Sequence, residues 1–166
     1  MNINVETERL LLNPIAPSDS LFMLDLLNTE GWLTYIGDRK VRNERDAKQY
    51  IDQLLQKKHF FYHVIKLKGT NQPIGVVSFI VRASQLYPDI GFALLPAFAK
   101  KGYAYEATVA YLTAVKESKS FEKILGITLP HNQPSIELLE KIGLQFQEKF
   151  IENGVELALY SRSFAD

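Results

Sequence analysis

The stretch that most constrains the fold is residues 88–112, where the hydrophobic pattern changes abruptly from that of a strand to that of a helix. Residues 90–95 form an unbroken apolar run that Pro96 closes, and so short a run predicts a buried strand. From Ala104 onwards, apolar residues recur three and four positions apart, which predicts a helix that packs along one face. The stretch therefore predicts a strand, a short turn and an amphipathic helix in direct succession.

The turn in this stretch, residues 99–104, has the composition of an anion site. Lys100 and Lys101 precede Gly102, and the helix that follows presents the free N–H groups of its first turn at the same place. Unpaired amides, the helix dipole and fixed cations all favour a phosphate there. A pair of solvated lysines on a surface turn has the same local pattern, so the sequence leaves both interpretations open.

The turn also resembles the acyl-CoA-binding motif of the GNAT (general N-acetyltransferase) superfamily, written Q/R-x-x-G-x-G/A, with Gly102 and Ala104 on its last two fixed positions. The wider pattern P-x-x-x-x-K-G-Y-A-x-E-A at residues 96–107 is similar to the branch of ribosomal-protein N-terminal acetyltransferases of the RimJ/RimL type. Residues 6–12 resemble the opening T-x-R-L-x-L strand of that branch, and residues 132–144 resemble its N-x-x-S and L-x-K-x-G-F/L blocks. Three blocks in the family's order are more specific than any one motif.

Two residues of the turn depart from the family pattern. Ala99 stands where the superfamily has Gln or Arg, and Lys100 stands where the branch usually has a glycine. The side chain of Lys100 either hinders the approach of a diphosphate to the backbone or replaces a lost contact with a charge. A non-catalytic acyl-CoA-binding or interaction module with the same fold is therefore the alternative to an enzyme.

The resemblance implies acetyl-CoA as the acetyl donor and assigns it a place on the chain. In GNAT proteins the strand that corresponds to residues 89–95 diverges from the strand that corresponds to residues 123–129, and the pantetheine arm lies in the gap. By this resemblance, the main chain holds the arm at Phe92, Ala93, Leu94 and Leu95. By the same resemblance, the turn is expected to hold the diphosphate through Lys100, Lys101, Gly102, Tyr103 and Ala104. Asn132 and Ser135 approach from the opposite side, although Asn132 is equally a candidate helix N-cap.

Amide formation from a thioester needs a neutral amine, a donor at the carbonyl oxygen and a proton for the departing thiolate. A main-chain N–H near Leu94 is the predicted oxygen donor, because it is fixed before the reaction begins. Many GNAT enzymes supply the proton from a tyrosine, but the segment from Pro130 to Lys141 has none, and Ser135 occupies the hydroxyl position of the ribosomal-protein branch. Ser135 is therefore the predicted catalytic proton donor or thiol-orienting residue, with capping of its own helix as the alternative.

Asp89, at the start of the cofactor strand, is the predicted catalytic base, which receives the amine proton directly or through a water. A purely structural turn aspartate after Pro88 would occupy the same position. An N-terminal α-amine has a pKa of about 8, so it is partly neutral at physiological pH and needs no dedicated base. A lysine amine, with a pKa of about 10.4, is mostly charged and depends more on a base in the site. His63 lies in a predicted strand and is expected to be a packed core histidine rather than a base.

The acceptor is expected to be a primary amine, either the N-terminal α-amine of a protein or a small-molecule amine. It should enter opposite the donor, beside residues 30–41, a segment without a clear hydrophobic period. Trp32 and Tyr35 in this segment offer an aromatic wall to a cationic substrate, and they could equally pin the segment to the core.

Composition excludes several other classes of protein. The chain has 166 residues, enough for one domain spanning residues 1–166. Its 19 basic and 19 acidic residues give a formal net charge of +0, so no global field favours nucleic acid or an anionic membrane. The sequence has no cysteine, which excludes disulfides and thiolate chemistry, and no metal site is expected. No segment approaches the roughly 20 apolar residues of a membrane span, so a cytoplasmic protein is expected. Its oligomeric state stays open between a monomer and a homodimer formed by exchange of the C-terminal hairpin.

The remaining patterns complete the predicted element order, βααβββαβαββ. Asn43, with Asp46 three residues later, predicts the start of the second helix. The pair Asn153-Gly154 predicts the turn of a C-terminal hairpin. This order predicts an α+β fold, with a mixed, mostly antiparallel twisted sheet of about seven strands flanked by about four helices. It is also the element order of GNAT domains.

Overall fold

One sheet of eight strands runs through the computed structural model, which describes residues 3–165. The two ends of the predicted domain, residues 1–2 and residue 166, lie outside this range. In chain order the strands are β1 (Val5–Glu6), β2 (Leu10–Pro14), β3 (Phe60–Leu67), β4 (Pro73–Ile80), β5 (Asp89–Leu94), β6 (Lys123–Thr128), β7 (Gln145–Glu152) and β8 (Val155–Ser163). Their spatial order is β1-β2-β3-β4-β5-β6-β8-β7. All neighbours are antiparallel except β5 and β6, which are parallel.

Within the described residues, five α-helices cover the sheet. They are α1 (Ser20–Leu27), α2 (Glu30–Tyr35), α3 (Glu44–Gln56), α4 (Tyr103–Glu117) and α5 (Gln133–Lys141). The predicted fold class, an α+β fold around a mixed and mostly antiparallel sheet, is confirmed.

Two short elements are additional to the predicted order. Strand β1 has only two residues, too few for a hydrophobic period to show. Helix α2 lies in the segment that lacked a period, and it begins where the Thr29 hydroxyl accepts a hydrogen bond from the N–H of Trp32 at 3.3 Å. Because elements this short are not stable by themselves, their formation depends on packing against the rest of the domain.

The helix start that Asn43 and Asp46 predict is confirmed at the N-terminus of α3. The side chain of Asn43 accepts a hydrogen bond from the N–H of Asp46 at 2.8 Å. In return, the Asp46 carboxylate accepts one from the N–H of Arg42 at 3.0 Å. Such reciprocal bonds satisfy amides that the first turn leaves without intrahelical partners. The buried face of α3 consists of Ala47, Ile51 and Leu54.

The predicted C-terminal hairpin is also confirmed. Asn153 has a φ of 49° and Gly154 a φ of 77°, so both central residues of the β7–β8 turn are left-handed. Two left-handed residues form the turn type whose twist matches that of the flanking strands.

The sheet separates two hydrophobic clusters. The first lies against α4 and α5 and includes Phe79 and Tyr111, while the second lies against α1, α2 and α3 and includes Trp32. Strand alternation produces this division, because successive side chains point to opposite faces. Val64 and Ile65 of β3 are both fully buried, yet Val64 belongs to the second cluster and Ile65 to the first.

His63 of β3 is a packed core histidine, as the sequence predicted, and it lies on the α4 side of the sheet. It is 1% exposed, and its ring contacts that of Tyr111 edge-on, with the ring centroids 4.9 Å apart. Within residues 3–165, neither ring nitrogen has a hydrogen-bond partner. Burial therefore disfavours the charged imidazolium and lowers the pKa of His63 to about 4.

We expect the substitution His63→Leu to change how stability depends on pH. The unfolded chain protonates His63 near its ordinary pKa of about 6.5, whereas the folded protein does so only near pH 4. As the pH falls between these values, the free energy of unfolding of the parent should fall relative to that of the variant, by roughly 3 kcal/mol in all. Urea unfolding of both proteins measures this difference. A difference that is independent of pH would contradict a buried neutral histidine.

Candidate active site

Within residues 3–165, the parallel pairing of β5 with β6 is confined to one pair of residues, Asp89 and Leu125. There the N–H of Leu125 donates a hydrogen bond to the C=O of Pro88 at 2.8 Å. Beyond this point β5 remains paired with β4, and β6 remains paired with β8, so the two strands separate. We call this point the fork, and the space beyond it the gap. The gap lies between the two strands for which the family resemblance implies divergence.

The β5 side of the gap is lined by backbone groups without a neighbouring strand. The N–H of Leu95 donates to the C=O of Ile74 at 2.8 Å, which sets the alternation along β5. In an antiparallel ladder every second residue bonds to the partner strand, so the N–H and C=O groups of Phe92 and Leu94 face the gap. Residues 91–95 are half-buried, in agreement with an open strand side.

The β6 side is arranged in the same way. The N–H of Phe164 donates to the C=O of Glu122 at 2.8 Å, so by alternation the backbone groups of Ile127 face the gap, where its N–H is directed at the Asp89 carboxylate and its C=O has no neighbouring strand. Strand amides without a partner cost free energy unless water or a ligand binds them. The gap is therefore suited to an extended ligand that itself carries amide groups.

The turn between β5 and α4 has the backbone conformation of an anion-binding nest. Lys100 has a φ of 59° and Gly102 a φ of 81°, both in the left-handed region. Helix α4 begins at Tyr103, directly after Gly102, whose missing side chain leaves the first-turn amides uncapped. Left-handed residues in such a turn direct successive N–H groups towards a common point. With Lys100 and Lys101 exposed beside it, this turn has the amides and the cations that a phosphate needs.

The left-handed conformation of Lys100 explains how a lysine occupies a position where the family usually has glycine. Glycine adopts a positive φ without steric cost, whereas a residue with a Cβ pays for it in conformational energy. Lys100 adopts this conformation and keeps its side chain exposed. The departure therefore preserves the path of the backbone and adds a charge.

Asn132 and Ser135 lie at the N-terminus of α5, directly after β6. The side chain of Asn132 accepts a hydrogen bond from the N–H of Ser135 at 3.4 Å, which is the helix-cap role left open by the sequence. Ser135 is half-buried, and in the described part of the chain its hydroxyl makes no hydrogen bond. The hydroxyl is therefore not used to cap its own helix and can bond to a ligand.

Asp89 is located at the fork itself. Its side chain is buried, with the residue 4% exposed, and it accepts a hydrogen bond from Nε of Arg82 at 2.8 Å. Burial raises the pKa of Asp89 to about 6, although Arg82 and the N–H of Ile127 favour the charged form. Arg82 also lies 4.0 Å from the carboxylate of Glu152. The role of Asp89 as a base stays a prediction.

The two aromatic residues predicted to contact the acceptor have different positions. Trp32 is 4% exposed and belongs to the core against α1 and α3, which corrects its prediction as part of a substrate wall. Its large apolar ring anchors α2, as the alternative interpretation had it. Tyr35 is half-buried, and its ring centroid lies 6.0 Å from that of His131, which precedes α5. Tyr35 thus connects α2 to the β6 side of the site, and its contact with an acceptor stays a prediction.

Sequence reasoning missed two charged groups beside the site. Arg82 contacts Asp89 at the fork, and Arg9 contacts Glu106 at the turn, at 2.6 Å. Arg9 and Glu106 each occur in a block that resembles the family, so their opposite charges were a signal that could have been used. No comparable signal marked Arg82.

Two other kinds of site are not found among residues 3–165. No helix there is both long enough and apolar enough to span a membrane. Nor does that range contain a group of three or more His, Asp or Glu side chains that could hold a metal ion.

The backbone of the turn can be tested with a matched pair of substitutions, Lys100→Gly and Lys100→Ala. Both remove the charge, but only glycine relieves the positive φ of this residue. We expect Lys100→Gly to be the more stable of the two by about 1 kcal/mol. Denaturant unfolding of the two variants measures this difference, and equal stabilities would show that the turn does not require a left-handed residue there.

Several solved structures share this architecture. An acetyltransferase (GNAT family) from Bacillus anthracis has a TM-score of 0.84 at 23% identity, covering 99% of this chain and 100% of that protein. The ribosomal alpha-N-protein acetyltransferase RimL in complex with coenzyme A has a TM-score of 0.84 at 17% identity, covering 99% and 100%. A ribosomal-protein alanine acetyltransferase from Vibrio fischeri has a TM-score of 0.83 at 19% identity, covering 99% and 98%. At these identities the likeness concerns the fold.

Similarity in sequence is more informative about the family. The uncharacterized N-acetyltransferase YnaD of Bacillus subtilis is 27% identical over 157 residues, which cover 93% of this chain and 91% of YnaD. The family model of the acetyltransferase (GNAT) domain matches residues 9–145, from the start of β2 to the start of β7. This range includes the fork, the turn, Asn132 and Ser135. The chain therefore belongs to the GNAT family of acetyltransferases.

Proposed function

We propose that this protein transfers an acetyl group from acetyl-CoA to a primary amine by direct attack of the amine on the thioester. The observation that carries the proposal is the continuity of the gap with the turn. Backbone groups of β5 that have no neighbouring strand line the gap, and the chain after β5 leads into a left-handed turn with two exposed lysines. The gap suits the amides of pantetheine and the turn suits a diphosphate, in the order in which coenzyme A carries these groups.

The chain's own groups provide a place for each part of the donor. The main chain of residues 92–95 would hold the pantetheine arm from the β5 side, since Phe92 and Leu94 face the gap. Residues 100–104 of the turn would hold the diphosphate through backbone N–H groups and the two lysines. Asn132 would contact the arm from the β6 side with the part of its amide that does not cap α5.

When bound, acetyl-CoA supplies an acetyl group that is activated as a thioester. The N–H of Leu94 faces the gap before any reaction and is positioned to stabilise negative charge on a neighbouring carbonyl oxygen. Such a donor needs no reorganisation because the β4–β5 ladder holds its strand. The hydroxyl of Ser135 would orient the sulfur or give it a proton from the opposite wall.

Asp89 is the proposed base, acting through a water because its side chain is buried at the fork. A pKa of about 6 leaves Asp89 charged at neutral pH and still basic enough to receive a proton. An N-terminal α-amine would make a small demand on this base, because its own pKa is about 8.

The acceptor is proposed to approach from the side of α1, α2 and α3, near Tyr35. Two proteins of the same fold carry names that describe acetylation of ribosomal proteins, one of them at an alpha-amino group. These names support the N-terminal amine of a protein as the first acceptor to test, with small-molecule amines as the second.

The reaction is tested by mixing the protein with acetyl-CoA and a panel of N-terminal peptides, polyamines and aminoglycosides. We expect release of free thiol that depends on at least one of these amines. The Ser135→Ala variant should lower kcat by about 10-fold to 100-fold, because the hydroxyl no longer assists the departing thiolate. Its affinity for CoA, measured by calorimetry, should change less than kcat.

Ser120→Ala is the matched control for this experiment, since Ser120 lies beyond the C-terminal end of α4. It should leave both kcat and CoA affinity at the parental values. Tight CoA binding without thiol release from any amine would instead indicate a non-catalytic acyl-CoA-binding module. Equal kcat values for Ser135→Ala and the parent would remove Ser135 from the mechanism.

The base is tested by Asp89→Asn. For a base with a pKa of about 6, the rate of the parent should rise with pH through that value as the carboxylate forms. The variant should lose this rise and lower kcat/KM by about 100-fold or more. Asp52→Asn, on the exposed face of α3, is the control for the charge change. If Asp89→Asn remains folded and keeps the parental pH profile, Asp89 is not the base.

A further inference from the structure

The loop before β2 lies beside the proposed diphosphate turn. Three residues, Thr7, Arg9 and Glu106, form a hydrogen-bonded group there, which we call the Arg9 cluster. Thr7 and Arg9 lie in the loop between β1 and β2, whereas Glu106 lies in the first turn of α4. The Arg9 cluster therefore joins two parts of the chain that are 97 residues apart in sequence.

The carboxylate of Glu106 is bonded at both oxygens. Oε1 accepts hydrogen bonds from the Thr7 hydroxyl at 2.6 Å and from the Arg9 N–H at 3.0 Å. Oε2 accepts a hydrogen bond from Nε of Arg9 at 2.6 Å. Burial acts to raise the pKa of Glu106, but the bonds from Thr7 and Arg9 outweigh it and lower the pKa. Glu106 is thus a fixed negative charge one turn away from the proposed diphosphate site.

The guanidinium of Arg9 contacts three successive positions of the turn. Nη1 donates a hydrogen bond to the C=O of Lys101 at 3.1 Å. Nη2 lies 3.4 Å from where a Cβ on Gly102 would be, and the guanidinium carbon lies 4.4 Å from the ring centre of Tyr103. Arg9 therefore packs along the turn at the point where helix α4 begins.

These contacts address two physical difficulties of the turn. Its left-handed residues are conformationally costly, so the turn needs support from outside its own sequence. In addition, an acidic residue in the first helical turn competes with a bound anion for the helix dipole. Arg9 holds a carbonyl of the turn and neutralises Glu106, so it acts on both difficulties at once.

We propose that Arg9, paired with Glu106, is a positioning residue that holds the turn in the conformation that binds the diphosphate of the acyl donor. The proposal rests on the proposed function, because it assigns the turn to the donor. It makes the loop before β2 a component of the donor site. The effect is specific to ligands that carry a diphosphate, since no residue of the Arg9 cluster lies on β5 or β6.

The test compares Arg9→Gln, Glu106→Gln and the double variant, using two donors. Calorimetry gives the affinity for CoA, and steady-state kinetics gives kcat and KM for acetyl-CoA and for S-acetylpantetheine, which lacks the diphosphate. We expect Arg9→Gln to weaken CoA binding by about ten-fold, because it removes the bond to Lys101 and leaves the charge of Glu106 uncompensated. Glu106→Gln should have a smaller effect, and the double variant should lose less than the product of the two. KM for S-acetylpantetheine should stay within about two-fold of the parental value in all three.

Lys68→Gln and Glu6→Gln are the matched controls. Their ion pair, at 2.7 Å, links β1 to the residue that follows β3, and neither residue belongs to the turn or to the Arg9 cluster. Lys68→Gln removes a positive charge, as Arg9→Gln does, and Glu6→Gln removes a negative charge, as Glu106→Gln does. Neither control should change the affinity for CoA. Unfolding curves recorded for every variant report any general loss of stability.

Two results would overturn the proposal while leaving the proposed function intact. One is parental CoA affinity in Arg9→Gln. The other is an equal loss for acetyl-CoA and S-acetylpantetheine, which would mean that the Arg9 cluster only stabilises the domain. If the parent itself does not bind CoA, the proposed function fails, and the assignment of the Arg9 cluster fails with it.

Discussion

The separation of β5 from β6 is the constraint on which the candidate site depends. A sheet normally satisfies its backbone amides through the neighbouring strand, and here that rule is broken after a single pairing at Asp89 and Leu125. The domain tolerates the break because each strand keeps a full ladder on its other side, β5 with β4 and β6 with β8. Unpaired groups are thereby concentrated on a few residues inside a rigid frame. A ligand that carries amides would supply hydrogen-bond partners for these backbone groups.

The turn that follows β5 adds the second property of the site, a backbone conformation and charges suited to an anion. The chain has no net charge, so an anion must be attracted by local groups rather than by a global field. Left-handed conformations at Lys100 and Gly102 bring backbone amides together at the start of α4, and two lysines are exposed beside them. Lysine in place of the usual glycine keeps the backbone path and costs conformational energy.

Ion pairs are located at both ends of the gap, and they have different surroundings. At the fork, Asp89 is buried and bonded to Arg82, so desolvation dominates and its pKa is raised. At the turn, Glu106 has hydrogen bonds from Thr7 and Arg9 that outweigh burial, so its pKa is lowered. Carboxyl groups at the two ends of the gap therefore have pKa values shifted in opposite directions, upwards for Asp89 and downwards for Glu106.

Sequence alone determined the features that depend on neighbours along the chain. Strand, turn and helix at residues 88–112, the cap at Asn43 and the hairpin at Asn153 all follow from patterns within a few residues, because backbone conformation responds to local side chains. Family resemblance placed the donor site on the same local blocks. The tertiary structure alone decided that Trp32 is a core residue, because burial depends on which faces meet.

Contacts between distant segments were likewise decided only by the fold. The pairing of Arg9 with Glu106 requires the start of β2 to lie beside the first turn of α4, and that of Arg82 with Asp89 requires the loop before β5 to fold back on the fork. Side-chain pairs of this kind depend on strand order and register, which a one-residue shift would change entirely. Periodicity in the sequence predicts which face of a strand or helix a residue occupies. Only the order and register of the assembled strands determine which side chains from distant segments pack against that face.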